Sequence, residues 1–105
     1  MRADDYEDYD EMDDFDEVAP EGNRLPGATA RAVLHYAACA IADKPEEVFV
    51  EVLEGPNGIV LELHAAQEDV GRIIGRNGRV ASALRQLARA AAYLDKTEAT
   101  VEIID

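Results

Sequence analysis

Apolar residues recur along this chain with two different periods. Between residues 28 and 42 they recur at spacings of three and four, which is typical of one face of a helix. The positions on that face are Ala30, Val33, Leu34, Ala37, Ala38 and Ile41. The spacing predicts a first helix over 28–42, and Pro45 prevents it from continuing.

Strict alternation of apolar and polar residues predicts three strands. Residues 48–54 and 59–65 alternate on either side of Gly55-Pro56-Asn57-Gly58, a dense turn signal that predicts an antiparallel hairpin. Residues 97–104 alternate again and predict a third strand. His64 lies at the end of the second strand, where we interpret it as a surface residue.

Helical spacing returns between the second and third strands. Residues 67–74 predict a short helix with Val70, Ile73 and Ile74 pointing inward, and a glycine-containing turn over 75–78 follows. A longer helix then extends to about residue 94, with a predicted buried stripe of Val80, Ala83, Leu84, Leu87, Ala88 and Ala91. The order α-β-β-α-α-β predicts an α+β fold: a three-stranded sheet with three helices on one face. The two strands that flank the helix pair should be parallel if they are adjacent.

The turn between the last two helices has the composition of an anion site. Gly75 and Gly78 allow a tight backbone turn, and the residues after it begin a helix, where unpaired N–H groups and the helix dipole favour a phosphate. From residue 71 to residue 92 the chain has five arginines and no acid. The competing interpretation is a helix–helix turn whose arginines are only solvated, since two glycines at this spacing are a weak signal.

Charge is distributed very unevenly along the 105 residues. The net charge is -13, but the first 26 residues contain eleven acids and two bases. Such a density of like charge without a periodic apolar face predicts a disordered acidic tail and linker over 1–26, followed by one domain over 27–105. The overall acidity argues against a nucleic-acid partner, and the segregation of the charge into the tail weakens that objection.

The sequence lacks the signals that are typical of several classes of protein. Cys39 is the single cysteine, so no disulfide framework is expected, and its apolar neighbourhood predicts a small core residue. We expect His35 to lie on the surface, without a metal. The chain has no signal-peptide pattern and no apolar run that could span a bilayer, which predicts a cytoplasmic location. Metal-ligand spacing, a paired nucleophile and base, and a phosphate-binding P-loop are all missing, so we expect neither an enzyme nor a cofactor.

The sequence Ile74-Gly75-Arg76-Asn77-Gly78 resembles the I-G-x-x-G loop of K-homology (KH) domains, which bind single-stranded nucleic acids. The element order, with a helix and a strand before the core, resembles the bacterial type II arrangement. More narrowly, residues 43–48, 68–75 and 101–105 are similar to the small bacterial KhpA proteins. The resemblance extends over residues 28–105 and leaves the acidic tail outside the family pattern.

This resemblance implies a protein that binds single-stranded RNA and acts as an RNA chaperone. It also implies association with a KhpB (Jag)-type partner, and a role in cell length and envelope homeostasis. The loop would clamp the backbone of about four nucleotides. The residues expected to bind RNA are Arg72, Ile73, Ile74, Gly75, Arg76, Asn77, Gly78, Arg79 and Val80. The groove has no aromatic residue in this sequence, so sequence discrimination should be modest.

A second hypothesis treats the same fold as an interaction module. Phe49, Leu53 and Ile104 are apolar residues on strand positions of the sheet's second face. They are compatible with a dimerising adaptor in which RNA contact is secondary, and equally with ordinary packing on that face.

Overall fold

A computed structural model describes residues 26–105, and the acidic segment lies outside this range except for its last residue. The predicted order of elements is confirmed. Within the described residues, three α-helices, three strands and two 3-10 turns follow one another in this order: α1 Ala28–Ile41, a turn Pro45–Glu47, β1 Phe49–Gly55, β2 Gly58–His64, α2 Gln67–Ile74, a turn Arg76–Gly78, α3 Arg79–Leu94 and β3 Ala99–Ile103.

The strands form one sheet in the order β1-β2-β3. β1 and β2 pair as an antiparallel hairpin, and Gly55 lies opposite Gly58 at its end. β2 and β3 pair in parallel, with Leu61 opposite Val101, as the crossover through two helices predicted. The central strand is therefore β2, and within residues 26–105 β1 and β3 each have one edge without a strand partner.

One face of this sheet forms the core. Val50, Leu61 and Val101, one from each strand, are buried in a single apolar cluster with residues of the helices. The helical members of the cluster include Leu34 of α1 and Leu84 of α3. All three helices contribute to this one face, which confirms the predicted layer order.

The buried face of α3 differs from the predicted stripe. Ala83 and Leu87 were expected to be buried, but Ala83 is exposed and Leu87 is 43% exposed. Ala81 and Ala92 are buried instead. The helix packs against both α1 and β3, and these two neighbours rotate its buried face toward the alanines, which allow close approach.

The third strand is shorter than predicted because the preceding helix ends in a hydrogen-bonded turn. The Thr97 N–H donates to the Ala92 carbonyl at 3.1 Å, and Lys96 adopts a left-handed conformation with φ 59°. Residues up to Thr97 are thus part of the helix cap, and β3 begins at Ala99.

The single cysteine and the first histidine lie close together. Cys39 is half-buried against the core rather than fully inside it, and its Sγ lies 3.5 Å from His35 Nε2. His35 is exposed, as expected, and its Nε2 lies 3.2 Å from the Val48 carbonyl oxygen.

Within residues 26–105, each helix is too short or too polar to cross a membrane.

Candidate nucleic-acid interface

The loop over residues 75–78 depends on backbone conformations that favour glycine. Gly75 ends α2 with φ 79° and ψ 170°, a region accessible essentially to glycine. Asn77 and Gly78 follow in the left-handed region, with φ 57° and 72°. The Gly78 N–H donates to the Gly75 carbonyl at 3.1 Å, which closes the loop into a tight turn.

A side chain at Gly75 would have no room. A Cβ atom there would contact the Val80 side chain and lie 2.9 Å from the Val80 backbone nitrogen. The same atom at Gly78 would meet nothing within 4 Å. Gly75 therefore allows the chain to pass close to the start of α3, whereas Gly78 is required only by its φ.

This turn presents the N-terminus of α3 to solvent. No side chain caps that helix end in the part of the chain that the structure describes, and no acid lies in its first turn. The Arg79 N–H donates to the Arg76 carbonyl within the turn, and the positive end of the helix dipole is directed toward the loop. A helix start of this kind favours an anion.

The five arginines between residues 71 and 92 have different environments; they are Arg72, Arg76, Arg79, Arg85 and Arg89. Arg76 and Arg79, at the loop, are exposed, and within residues 26–105 neither has a hydrogen bond or ion pair through its side chain. Arg72 is exposed too, but its Nη2 lies 3.0 Å from Asp43 Oδ2. The charge available to a phosphate is therefore concentrated at Arg76 and Arg79.

The apolar residues beside the loop are divided between core and surface. Ile73 is fully buried, so it positions α2 and offers no surface to a ligand. Ile74, predicted to point inward, is instead 38% exposed, and Val80 is half-buried under Gly75. Ile74 and Val80 thus form the apolar surface adjoining the loop.

Asp69 fixes the helix that leads into the loop. Its carboxylate is 1% exposed and accepts hydrogen bonds from the backbone N–H groups of Asp43 (3.1 Å) and Lys44 (3.0 Å). These two bonds, that from Lys44 first, hold the pKa of Asp69 below its usual value. The sequence showed Asp69 only as an acid in the first turn of a helix, and nothing in it indicated that the carboxylate would be buried.

A neighbouring ion pair reinforces the same junction. Lys44 Nζ donates to Glu68 Oε2, which raises the pKa of Lys44 and lowers that of Glu68. Together with the pair between Asp43 and Arg72, it ties α2 to the segment after α1.

Two arginines cover the open edges of the sheet. Arg85 Nε donates to the Val101 carbonyl of β3 at 3.3 Å, and Arg31 Nε donates to the Val50 carbonyl of β1 at 3.1 Å. Side chains bound to the outward-facing carbonyls block pairing with another strand. Arg85, one of the five arginines near the loop in sequence, is therefore engaged in covering β3.

Arg89 lies further along α3, about 15 Å from Arg79 at the helical rise per residue. It lines an open cleft of about 480 Å³ together with residues 55–60 and 98–100. The loop residues do not line this cleft. The structure thus leaves Arg89, which was not among the residues expected to bind RNA, apart from the loop.

Comparison with known proteins identifies the family. The family model described as "KhpA/KhpB, KH domain" matches residues 31–103. A Clostridium perfringens protein named RNA-binding protein KhpA is 39% identical over 74 residues, which are 70% of this chain and 99% of the relative. Proteins of the same name from Treponema pallidum (44% identity, 70% of this chain, 91% of the relative) and Leifsonia xyli (42%, 69% and 92%) are also similar.

A solved structure shares the fold alone. Aquifex aeolicus Era, bound to GDP and AlF4-, superposes on 70% of this chain with a TM-score of 0.51 and 21% sequence identity. The matched part is 29% of the Era chain.

The expected type II arrangement agrees with the helix that precedes the hairpin and with the parallel pairing of β2 and β3. The family is one of KH-domain proteins and is not an enzyme family. The loop, the element order and the family match lead to one assignment: the chain belongs to the KhpA/KhpB family of KH-domain proteins.

Proposed function

We propose that this protein binds single-stranded RNA by clamping its sugar-phosphate backbone at the loop 75–78. The observation that carries the proposal is the N-terminus of α3, which has no side-chain cap within residues 26–105. Gly75 allows the loop to pass close to this helix start, beside the unpaired side chains of Arg76 and Arg79. The relatives' name, RNA-binding protein KhpA, supports RNA as the ligand.

Different residues at the loop would contact different parts of the RNA. The guanidinium groups of Arg76 and Arg79 would each pair with a phosphate, and Asn77 would add a hydrogen bond. Bases would lie against the exposed part of Ile74 and against Val80. A KH domain holds about four nucleotides in this way, through backbone contacts and a short apolar groove.

The opposite face of the sheet is unsuited to RNA. Glu51, Glu62 and Glu102 lie opposite one another on the three strands and direct their carboxylates away from the helices. Such a row repels phosphates. This supports a path for RNA along the loop and helices rather than across the sheet.

Binding through few contacts suits an RNA chaperone. Two available arginines and no aromatic residue at the loop predict weak, salt-dependent binding with modest sequence preference. Rapid association and release would let one protein act on many RNAs. We propose that it does so in the cytoplasm with a KhpB/Jag-type partner, in post-transcriptional regulation linked to cell envelope and cell length.

The test is the double substitution Arg76→Asp and Asn77→Asp. Both side chains are exposed, so the fold should be retained while two carboxylates face the phosphate. The proposal predicts that the variant loses binding to a short unstructured RNA, measured by fluorescence anisotropy at low salt.

A charge-matched control separates a local clamp from general electrostatics. Lys96→Asp with Asn57→Asp changes the net charge by the same amount at exposed positions on other turns. This control should retain most of the affinity. Equal affinity of the loop variant and the wild type, with both folded, would exclude the clamp.

An adaptor function has its own support in the structure. Phe49 and Leu53, on the second face of the sheet, are 49% and 44% exposed, and Leu94 of α3 is 71% exposed. Phe49 and Leu53 share one face of the sheet, and an apolar patch there would suit contact with another protein, including a second copy of the chain. Cellular RNA crosslinking that survives substitution of Gly75 and Gly78 would favour this alternative.

A further inference from the structure

The second face of the sheet contains an unusual cluster of polar side chains. Glu51 of β1 lies directly opposite Glu62 of β2, and Glu62 lies opposite Glu102 of β3. Like charges directly opposite each other on neighbouring strands destabilise a sheet. A cation bound at this row would relieve that repulsion.

His64 adjoins two of these carboxylates. Its Nε2 lies 3.6 Å from Glu62 Oε1 and 3.8 Å from Glu51 Oε1. The Phe49 ring stacks on the imidazole with ring centroids 4.3 Å apart and an interplanar angle of 3°, which fixes its orientation. The sequence predicted a surface position for His64, but the residue is half-buried against the Phe49 ring.

The ring nitrogen that faces the carboxylates makes no hydrogen bond within residues 26–105. Among residues 26–105, His64 Nε2 is buried and no group lies within hydrogen-bonding distance of it. The separations of 3.6 and 3.8 Å are too long for hydrogen bonds. They are close to the distance between two ligands of one ion, because atoms about 2.0–2.2 Å from a tetrahedral metal are about 3.3–3.6 Å apart.

We propose that Glu51, Glu62 and His64 form a zinc-binding site on the open face of the sheet. Their ligand atoms lie within 4.8 Å of one another and come from two adjacent strands. Two carboxylates and an imidazole nitrogen are a ligand set that suits Zn²⁺, and the exposed side of Glu51 leaves a position for water. The ion would offset the negative charge of Glu51 and Glu62.

This site is separate from the proposed RNA clamp. Its three ligands lie on β1 and β2, on the face of the sheet away from the helices, while the clamp lies between α2 and α3. Bound zinc would join the two strands of the hairpin across their open face.

The test is calorimetric titration of the full chain with Zn²⁺ in the presence of excess Mg²⁺. Mg²⁺ prefers oxygen ligands and would occupy the carboxylates of the acidic segment, whereas imidazole favours Zn²⁺. The expected result is one zinc ion bound per chain and a higher midpoint of thermal unfolding with zinc. Absence of Zn²⁺ binding under these conditions would overturn the proposal.

Two variants locate the site. His64→Gln and Glu62→Gln should each weaken zinc binding by at least about tenfold, the smallest loss expected when even an outer-shell partner of a metal is removed. They should also abolish the zinc-dependent rise in the unfolding midpoint. Circular dichroism without zinc checks that both variants fold.

His35→Gln is the matched control. His35 is the other histidine of the chain, and it lies beside the Cys39 thiol, which makes that pair the competing zinc site. Zinc binding should be unchanged in His35→Gln. Loss of binding in this variant, or retention of full binding in His64→Gln, would overturn the assignment.

Discussion

The buried carboxylate of Asp69 holds the backbone of Lys44: its Oδ2 accepts a hydrogen bond from the Lys44 N–H at 3.0 Å. Asp69 lies in the first turn of the helix that ends at the loop, and Lys44 lies just after the first helix. One hydrogen bond thus links two segments 25 residues apart in sequence. The orientation of the helix that leads into the loop depends on this contact.

Asp69→Asn should lower the midpoint of thermal unfolding at pH 7. The carboxylate accepts two backbone N–H bonds, and an amide has a single oxygen acceptor, so one N–H would face the NH₂ group. Differential scanning calorimetry measures the change. Asp105→Asn, at an exposed position, is the control and should leave the midpoint unchanged.

The effect of Asp69 should depend on pH. Its pKa is lowered in the folded state, so its stabilisation is fully present above the unfolded value of about 4 and is lost as the pH falls through the folded value. The difference in unfolding midpoint between wild type and Asp69→Asn should therefore shrink as the pH falls below about 4. A difference that is the same at pH 7 and well below pH 4 would contradict this assignment.

Gly75→Ala should destabilise the protein more than Gly78→Ala. The new Cβ would collide with Val80 at the first position and meet open space at the second. At Gly78 the cost is the left-handed conformation alone, about 1–2 kcal/mol. Urea unfolding of the two variants gives the comparison. Equal free energies of unfolding would show that contact with Val80 does not constrain the loop.

Asp43→Asn should tighten RNA binding. The substitution removes the carboxylate that pairs with Arg72 and frees this guanidinium for a phosphate. Both side chains are exposed, so the free energy of unfolding should change by less than about 1 kcal/mol. We expect a gain in affinity of up to about fivefold at low salt, the equivalent of one exposed ion pair.

Glu46→Gln is the control for this prediction. It removes the same charge from an exposed position in the neighbouring turn, and no arginine pairs with Glu46 within residues 26–105. If both variants gained the same affinity, the effect would come from net charge and not from release of Arg72.

Deletion of residues 1–26 should also tighten RNA binding at low salt. This segment contributes eleven acids, which would compete with RNA for Arg76 and Arg79. The gain should shrink toward physiological salt because exposed charges are screened. Anisotropy titrations of the full and shortened chains at two salt concentrations test this, and equal affinities at low salt would show that the segment has no role at the loop.

Much of the architecture follows from local sequence. Pro45 limits the first helix, and residues 55–58 specify the hairpin turn. Gly75 and Gly78 specify the turn between α2 and α3, because few other residues adopt the backbone conformations found there. These features depend on neighbouring residues alone, and a single sequence predicts them well. The roles of the predicted RNA-binding residues stay predictions until binding is measured.

The tertiary structure decided which side chains are available. Helical spacing could not show that Ile73 would be buried and Ile74 exposed, or that Ala81 would replace Ala83 in the core. Those outcomes depend on how neighbouring elements rotate a helix when they pack against it. In the same way, Arg72 and Asp43 are 29 residues apart, and only the fold brings their charges together. Period and turn chemistry are local properties of the chain, whereas burial and charge pairing arise from contacts between distant segments.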